Sequence, residues 1–228
     1  MRRISVLLLA LLLAACSPLS KYQSLPEVKA WETAIQKFEQ LDKSENYPDE
    51  SVIFAGSSSI LLWSTLKEDM APYPVIHRGY GGAKLSDLAV YAGRIFDPHV
   101  FRAAVIFVAN DITGSEQDKS PDEVLALYKS VVKTIRKNHK DVPVFWIAIT
   151  PTTSRWKAWP QIQKANMLIK EYSEKNKNLH FITTDFAFLG NDGKPKNELF
   201  RDDLLHLNDK GYDVWQEIIK KELDRVLK

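Results

Sequence analysis

Five short apolar runs, separated by segments with helical periodicity, constrain the fold of this chain more than any other feature. Each run has the length of a strand and is rich in β-branched or aromatic residues. The runs are SVIF (Ser51–Phe54), PVIH (Pro74–His77), AAVIFV (Ala103–Val108), VPVFWIAI (Val142–Ile149) and LHFIT (Leu179–Thr183). Strands without polar alternation are buried on both faces, which requires helices on both sides of the sheet. We therefore predict a three-layer, doubly wound α/β fold with about five mainly parallel strands.

The segments around these runs carry apolar residues at helical spacing, which is typical of amphipathic helices that cover a sheet. The predicted helices are Pro26 to about Leu41, Leu85–Tyr91, Pro121–Asn138, Trp159–Asn176 and Asn208–Leu227. No internal repeat or low-complexity tract interrupts the alternation. A chain of 228 residues with 45% apolar content has the size and the core of one domain.

The first residues, MRRISVLLLALLLAACSPLS, have the three parts of an export signal. Arg2 and Arg3 form a charged region, an apolar run from Val6 to Leu13 follows, and small residues lead to Cys16, the only cysteine of the chain. The apolar run is shorter than the roughly 20 residues that a membrane span needs. Export followed by cleavage is therefore the better interpretation.

The letters LAAC resemble a bacterial lipobox, whose cysteine becomes the lipidated first residue of the mature protein. The resemblance implies a signal peptide over residues 1–15, a lipidated tether over 16–24 and a folded domain over 25–228. It also implies anchoring in the bacterial cell envelope at the outer membrane, because a serine rather than an aspartate follows Cys16. A signal peptide that is cut elsewhere, with an incidental cysteine, is the alternative.

The charge balance bears on the class of partner. The full chain has 31 basic and 29 acidic residues, and removal of a segment that contains Arg2 and Arg3 leaves 29 of each. A neutral domain lacks the basic face that nucleic-acid binding needs. We therefore expect no nucleic-acid partner, and a monomer that is attached to the membrane through a lipid on Cys16.

Serine, glycine and asparagine follow the first three predicted strands, and an Asp-x-x-His pair precedes the last helix. The segments are GSSSI (Gly56–Ile60), RGYGGAK (Arg78–Lys84), ANDITG (Ala109–Gly114) and RDDLLHLNDKGY (Arg201–Tyr212). Ligands of open α/β sheets bind outside the carboxyl ends of the strands. The four segments are therefore predicted to form one site.

In this order the segments resemble the SGNH, or GDSL, hydrolase superfamily, in the branch whose first block reads GSSSI followed by tryptophan. The resemblance extends from Phe54 to Tyr212 and implies a flavodoxin-like sheet with a serine esterase site that uses neither a metal nor a cofactor. Matched by position, Ser58 corresponds to the nucleophile. Asp203 and His206 correspond to the other two members of a Ser-His-Asp triad.

The same resemblance implies an oxyanion hole built from the backbone of Ser58, from Gly82 and from the side chain of Asn110. Two positions depart from the usual pattern of the superfamily. Ser57 replaces the common aspartate, as the GSSSI branch implies, and Val108 stands where the third block usually has glycine. We expect Val108 to reshape the pocket near Asn110.

These residue types suit acyl transfer to water. A serine hydroxyl becomes nucleophilic when an imidazole accepts its proton, and a carboxylate fixes the tautomer of that imidazole. Backbone and amide N–H groups stabilise the oxyanion that develops on the substrate. The domain over 25–228 is thus predicted to be an SGNH-type hydrolase domain that works through an acyl-serine.

Each segment also has a simpler structural interpretation. The serines can cap a helix, the glycines can form turns, Asn110 can begin a turn and Asp203 can be a solvated loop charge. The occurrence of all four segments in order at successive strand ends favours the active-site interpretation. RGYGGAK fits neither glycine pattern of phosphate-binding loops, and the remaining histidines lack metal-ligand spacing.

The loop TPTTSRWKAWP, Thr150–Pro160, follows the fourth strand and so overhangs the same cleft. Arg155 can pair with a carboxylate or a phosphate, and Trp156 can stack on a sugar ring or cover an acyl chain, so both are candidate substrate-binding residues. Trp159 is expected to pack the loop onto the domain. Since no lid insertion for long chains is evident, the predicted substrates are short acyl esters, including acetyl esters, of small molecules or glycans.

Two other kinds of function stay open. A lysophospholipase or thioesterase of the same fold would act on different acyl groups. A catalytically silent envelope lipoprotein would use the same cleft to bind glycan, and Val108 keeps this alternative open. The intact set of Ser58, Asn110, Asp203 and His206 argues against it.

Overall fold

A computed structural model gives the structure of the protein and describes residues 19–228. Its centre is a five-stranded sheet of parallel strands in the order β2-β1-β3-β4-β5. The strands are β1 (Val52–Gly56), β2 (Val75–Gly79), β3 (Ala103–Phe107), β4 (Val144–Ile147) and β5 (Leu179–Ile182). The predicted parallel α/β fold and the number of strands are confirmed.

Helices connect and cover the strands. They are α1 (Ser20–Gln23), α2 (Pro26–Lys29), α3 (Glu32–Ser44), α4 (Ser58–Leu61), α5 (Leu66–Asp69), α6 (Leu85–Phe96), α7 (Pro121–Asn138), α8 (Trp159–Glu174) and α9 (Asp209–Leu227). Short 3₁₀ segments lie at Thr153–Ala158, Asp185–Phe188 and Asn197–Leu199. The predicted bounds of α7 agree with the structure, and those of α8 and α9 agree to within two residues.

The two faces of the sheet carry separate apolar cores. Ile106 in the central strand packs with residues of α6, α7 and α8, whereas its neighbour Val105 packs with residues of α9 on the opposite face. Both side chains are fully buried because successive residues of a strand point to opposite faces. This arrangement explains why the strands are continuous apolar runs rather than alternating ones.

The N-terminal helical region differs from the prediction. A single helix from Pro26 to about Leu41 was expected, but α2 ends at Lys29 and α3 begins at Glu32. Between them, Trp31 N–H donates to Val28 O, three residues back, at 3.1 Å, which is a tighter turn than that of an α-helix. The tighter turn accompanies the packing of the Trp31 ring against the Tyr80 ring, with centroids 5.3 Å apart.

Part of the expected tether is folded against the domain. Helix α1 lies within residues 16–24, and Leu19, Tyr22 and Leu25 pack against the core that contains α6. The signal peptide over 1–15 and the lipidation site at Cys16 lie outside the described residues. Within residues 19–228, no helix combines the length and the apolar character that crossing a membrane requires.

Candidate active site

The carboxyl end of β1 places the serine run at the edge of the sheet. Gly56 has φ of +147°, and a Cβ there would lie 1.8 Å from Phe107 O, so only glycine lets β1 approach β3 this closely. Ser57 N–H then donates to Phe107 O at 2.9 Å. Ser57 and Ser59 are buried, whereas Ser58, the first residue of α4, keeps part of its surface exposed. Of the three serines, Ser58 is therefore the most exposed.

The loop before α9 carries His206 and Asp203, the residues that the sequence predicts as base and acid. His206 Nε2 lies 3.0 Å from Ser58 Oγ, and His206 Nδ1 lies 2.6 Å from Asp203 Oδ2. The second carboxylate oxygen, Asp203 Oδ1, accepts hydrogen bonds from the backbone N–H groups of Leu205 and His206, at 3.0 and 2.9 Å. The structure thus brings Ser58, His206 and Asp203 together as a hydrogen-bonded chain, the arrangement that the sequence predicts.

The charge of Asp203 fixes the tautomer of the imidazole. Partial burial alone would raise the pKa of Asp203, but the hydrogen bonds from the His206 ring and from two backbone N–H groups outweigh it and lower the pKa to about 2. An ionised carboxylate only accepts hydrogen bonds. His206 Nδ1 must therefore carry a hydrogen, which leaves Nε2 of the neutral ring as the acceptor for the Ser58 hydroxyl.

The carboxyl end of β3 holds the loop that follows β2. Asn110 Nδ2 donates to Ala83 O at 2.9 Å, and Asp111 Oδ2 accepts the backbone N–H of Leu85 at 2.7 Å. Burial raises the pKa of Asp111, and an ion pair with Lys119, at 3.0 Å, partly offsets this effect. Two successive side chains therefore fix the position of residues 83–85.

Gly82 lies in this fixed loop, one residue before Ala83. Its φ is +73°, a backbone conformation that favours glycine, and a Cβ would meet the Trp31 ring at 3.4 Å. Gly82 is not among the residues that line the cavity beside Ser58. The structure therefore places Asn110 at the cavity and Gly82 in the adjacent loop that Asn110 binds.

A cavity of about 20 Å³ opens beside Ser58. The residues on its wall that carry polar side chains include Ser58, Asn110, Thr150, Thr152, Arg155 and His206. The hydroxyls of Thr150 and Thr152 are buried and find no hydrogen-bond partner among residues 19–228. These two threonines are additional site residues that the sequence analysis did not single out, although their position just after β4 was a signal for them.

The loop after β4 differs in part from what its sequence suggests. Arg155 lines the cavity, but its Nη1 donates to Ala109 O at 2.7 Å and its Nη2 to Asn110 Oδ1 at 2.6 Å. Trp156 stacks on Trp159, with ring centroids 6.0 Å apart and an interplanar angle of 14°, and it is not part of the cavity wall. Trp159 is buried, in agreement with its expected packing role.

Val108 does not enter the cavity. Its side chain is fully buried in the core on the α6 side of the sheet, and the wall of the cavity is formed by its neighbours Phe107 and Ala109. The expected reshaping of the pocket near Asn110 by this side chain is therefore not seen. Within the described part of the chain, no group of histidine, cysteine, aspartate or glutamate side chains could hold a metal ion.

The chain matches one protein family by its sequence and several solved structures by its fold. The model of the GDSL-like lipase/acylhydrolase family matches residues 54–214. No curated protein sequence matches the chain.

Solved structures share the fold at low sequence identity. A Streptococcus pneumonia protein described as a platelet activating factor has a TM-score of 0.75 at 17% identity, covering 91% of this chain and 100% of its own. A Bacteroides fragilis protein described as an acylhydrolase has a TM-score of 0.73 at 23% identity, covering 85% of this chain and 97% of its own. A serine-to-alanine variant of an acetyl esterase, solved with an acetate ion, has a TM-score of 0.63 at 16% identity, covering 78% of this chain and 97% of its own.

Proposed function

Since this chain belongs to the GDSL-like lipase/acylhydrolase family, we propose that it is a serine esterase that cleaves short acyl esters through an acyl-enzyme on Ser58. Family membership makes the chain a carboxylic ester hydrolase. The observation that carries the serine mechanism is the distance of 3.0 Å between Ser58 Oγ and His206 Nε2.

The proposed reaction has two half-reactions. Ser58 Oγ attacks the ester carbonyl carbon and gives its proton to His206 Nε2, and the resulting intermediate collapses when the alcohol leaves with that proton. Water then attacks the acyl-serine, again with His206 as the base, and releases the carboxylic acid and the free hydroxyl. Asp203 holds the ring and stabilises its positive charge in both half-reactions.

The oxyanion is proposed to bind to N–H donors at the ends of β1, β2 and β3. Ser58 is the first residue of α4, where backbone N–H groups have no acceptor within the helix. Asn110 uses one amide hydrogen for Ala83 O, so the other is available for a substrate oxygen. The backbone N–H of Gly82 would be the third donor. Each preorganised donor of this kind contributes about 2.7–4 kcal/mol in other enzymes.

The size and the lining of the cavity favour a substrate with a short acyl group. A volume of about 20 Å³ accommodates one water-sized group, such as the methyl of an acetyl ester. An alkyl chain over Thr150 and Thr152 offers their two buried hydroxyls no hydrogen-bond partner, whereas an oxygen atom of a small polar ester can accept from them. The structurally similar acetyl esterase with an acetate ion supports the same choice. We therefore propose acetyl esters of small molecules or glycans as the substrate class.

A panel of p-nitrophenyl esters tests this function. We expect the acetate to give the highest kcat/KM, the butyrate a lower one and the octanoate the lowest, with labelling of the protein by a serine-reactive fluorophosphonate. An octanoate preference would favour the lysophospholipase or thioesterase alternative. Absence of both hydrolysis and labelling would favour a glycan-binding protein without catalysis.

We also propose that the protein is a lipid-anchored protein of the bacterial cell envelope, at the outer membrane. The support is the sequence alone: a charged region, a short apolar run and LAAC at Cys16, followed by serine. Several acyl chains on one cysteine would anchor the domain firmly, whereas a single chain binds only marginally.

A further inference from the structure

Arg155 is turned toward the candidate oxyanion residue. It lies in the 3₁₀ segment Thr153–Ala158, which is kinked at this residue, where φ is −116° and ψ is 17°. Its Nη1 donates to Ala109 O at 2.7 Å and its Nη2 donates to Asn110 Oδ1 at 2.6 Å. The guanidinium therefore ties the loop after β4 to the residues that follow β3.

The two partners of the Asn110 side chain impose one orientation on its amide. A guanidinium only donates hydrogen bonds, so Oδ1 must face Arg155. A carbonyl oxygen only accepts them, so Nδ2 must face Ala83 O, at 2.9 Å. A flipped amide would place donor against donor and acceptor against acceptor. Arg155 and Ala83 O thus lock the amide with one N–H directed to Ala83 O, which leaves the second N–H for a substrate oxygen.

The charge of Arg155 is not used in an ion pair. Among residues 19–228, no carboxylate lies within 4.0 Å of its guanidinium. Burial lowers the pKa of Arg155, and the more distant charges of Asp118 and Asp111 partly offset this effect. Arginine stays protonated in proteins, so Arg155 places a partly buried positive charge against the amide oxygen of Asn110. A hydrogen bond from a charged group polarises the amide and makes its N–H a stronger donor.

We propose that Arg155 is a positioning residue for ester hydrolysis, which orients and polarises the Asn110 amide as an oxyanion donor and does not itself bind the substrate. The inference rests on the proposed function, because it assigns Arg155 a role in the same site. Loss of Arg155 would free the amide to rotate. The loss can cost no more than removal of the donor itself, which is about 10²- to 10³-fold in kcat.

A double-mutant cycle in the full chain tests this role with p-nitrophenyl acetate, a neutral substrate. Arg155→Met is expected to lower kcat by about 10- to 10²-fold while KM stays within about 2-fold. Arg155→Met combined with Asn110→Ala should be no slower than Asn110→Ala alone, because both changes remove the same donor. Arg155→Lys keeps the charge but not the two-pronged geometry, so an intermediate loss is expected.

Arg136 offers a matched control, because it is a partly buried arginine that donates only to backbone carbonyls, those of His139, Val142 and Asn178. Arg136→Met should lower the thermal midpoint without changing kcat of the folded protein. The inference would be overturned if the losses in kcat from Arg155→Met and Asn110→Ala multiply in the double variant. It would also be overturned by a rise in KM without a fall in kcat, or by wild-type kcat in both Arg155 variants. Failure of the proposed function would be distinguishable, since Ser58→Ala would then hydrolyse the ester as the wild type does.

Discussion

Asp203 Oδ2 lies 2.6 Å from His206 Nδ1, and the two residues are three positions apart on one loop. The backbone N–H of His206 also binds Asp203 Oδ1, at 2.9 Å, so the acid contacts both the ring and the main chain of the base. The orientation of the imidazole is therefore set within the loop itself. This pairing makes the effect of a change at Asp203 specific and testable.

Asp203→Asn should lower kcat by up to about 10⁴-fold in a protein that still folds. An amide that donates to Nδ1 would shift the ring hydrogen to Nε2, and Nε2 could then no longer accept the Ser58 proton. Steady-state hydrolysis of p-nitrophenyl acetate measures the effect. Asp202→Asn is the matched control. Asp202 is the exposed residue next to Asp203, and its substitution should leave kcat at the wild-type value. Equal kcat in the two variants would remove Asp203 from the mechanism.

The low pKa of Asp203 predicts how its contribution to stability depends on pH. Its folded pKa of about 2 lies below the ordinary value of 3.8, so ionisation favours the folded state. That contribution is complete above about pH 5 and is lost as the pH falls toward about 2. The difference in thermal midpoint between wild type and Asp203→Asn should shrink as the pH falls below about 4. A difference that changes only near neutral pH would contradict this assignment.

The serine run should respond to substitution at one position only. Ser58→Ala is expected to abolish fluorophosphonate labelling and to lower kcat by about 10⁴-fold or more. Ser57→Ala and Ser59→Ala should keep most of the labelling, since Ser58 Oγ is the hydroxyl at 3.0 Å from His206 Nε2. In-gel fluorescence after a short exposure to the probe measures all three variants. Labelling lost in Ser57→Ala but kept in Ser58→Ala would move the nucleophile by one residue.

Asn110→Asp tests the oxyanion role with almost no change of shape. The variant replaces donor hydrogens with an oxygen that repels both Ala83 O and the developing oxyanion, so kcat should fall by at least about 10²-fold. The remaining carboxylate oxygen would pair with Arg155, so the fold should persist, as thermal melting and circular dichroism can check. Wild-type kcat in a folded Asn110→Asp protein would exclude Asn110 from catalysis.

The lipid anchor is tested by Cys16→Ala in cells that are fed labelled palmitate. We expect the variant to incorporate no palmitate and to appear in the soluble fraction, because the acylated thiol is gone. Its kcat with p-nitrophenyl acetate should equal that of the wild type, since the candidate site is built from residues within 19–228 and Cys16 is not among them. Palmitate incorporation that survives the substitution would refute the assignment.

The fold was predictable because parallel strands that are buried on both faces appear in the sequence as continuous apolar runs. All five residues of β1 and of β3 are buried, so their apolar runs are continuous and their lengths are easily read. The break between α2 and α3 was not predictable, because Val28, Trp31 and Ile35 keep helical spacing across it. The break accompanies the contact of Trp31 with Tyr80, which lies 49 positions along the chain and leaves no local pattern.

The candidate site was predictable in unequal parts. Ser58, Asp203 and His206 stand in motifs whose spacing carries their chemistry, and the structure brings them together. The partner of Arg155 was not visible, because Asn110 lies 45 residues away and an arginine in a loop usually faces solvent. Only the packing of the loop after β4 against the end of β3 turns the guanidinium inward.

The separation of Ser58 from His206 along the chain has a consequence for timing. The two residues are 148 positions apart, and strands β2 to β5 all lie between them. During synthesis, Ser58 emerges long before His206, so its hydroxyl has no imidazole beside it until the later part of the chain has folded. On the proposed mechanism, the Ser58 hydroxyl becomes a nucleophile only when β5 and the loop that carries His206 have reached their places.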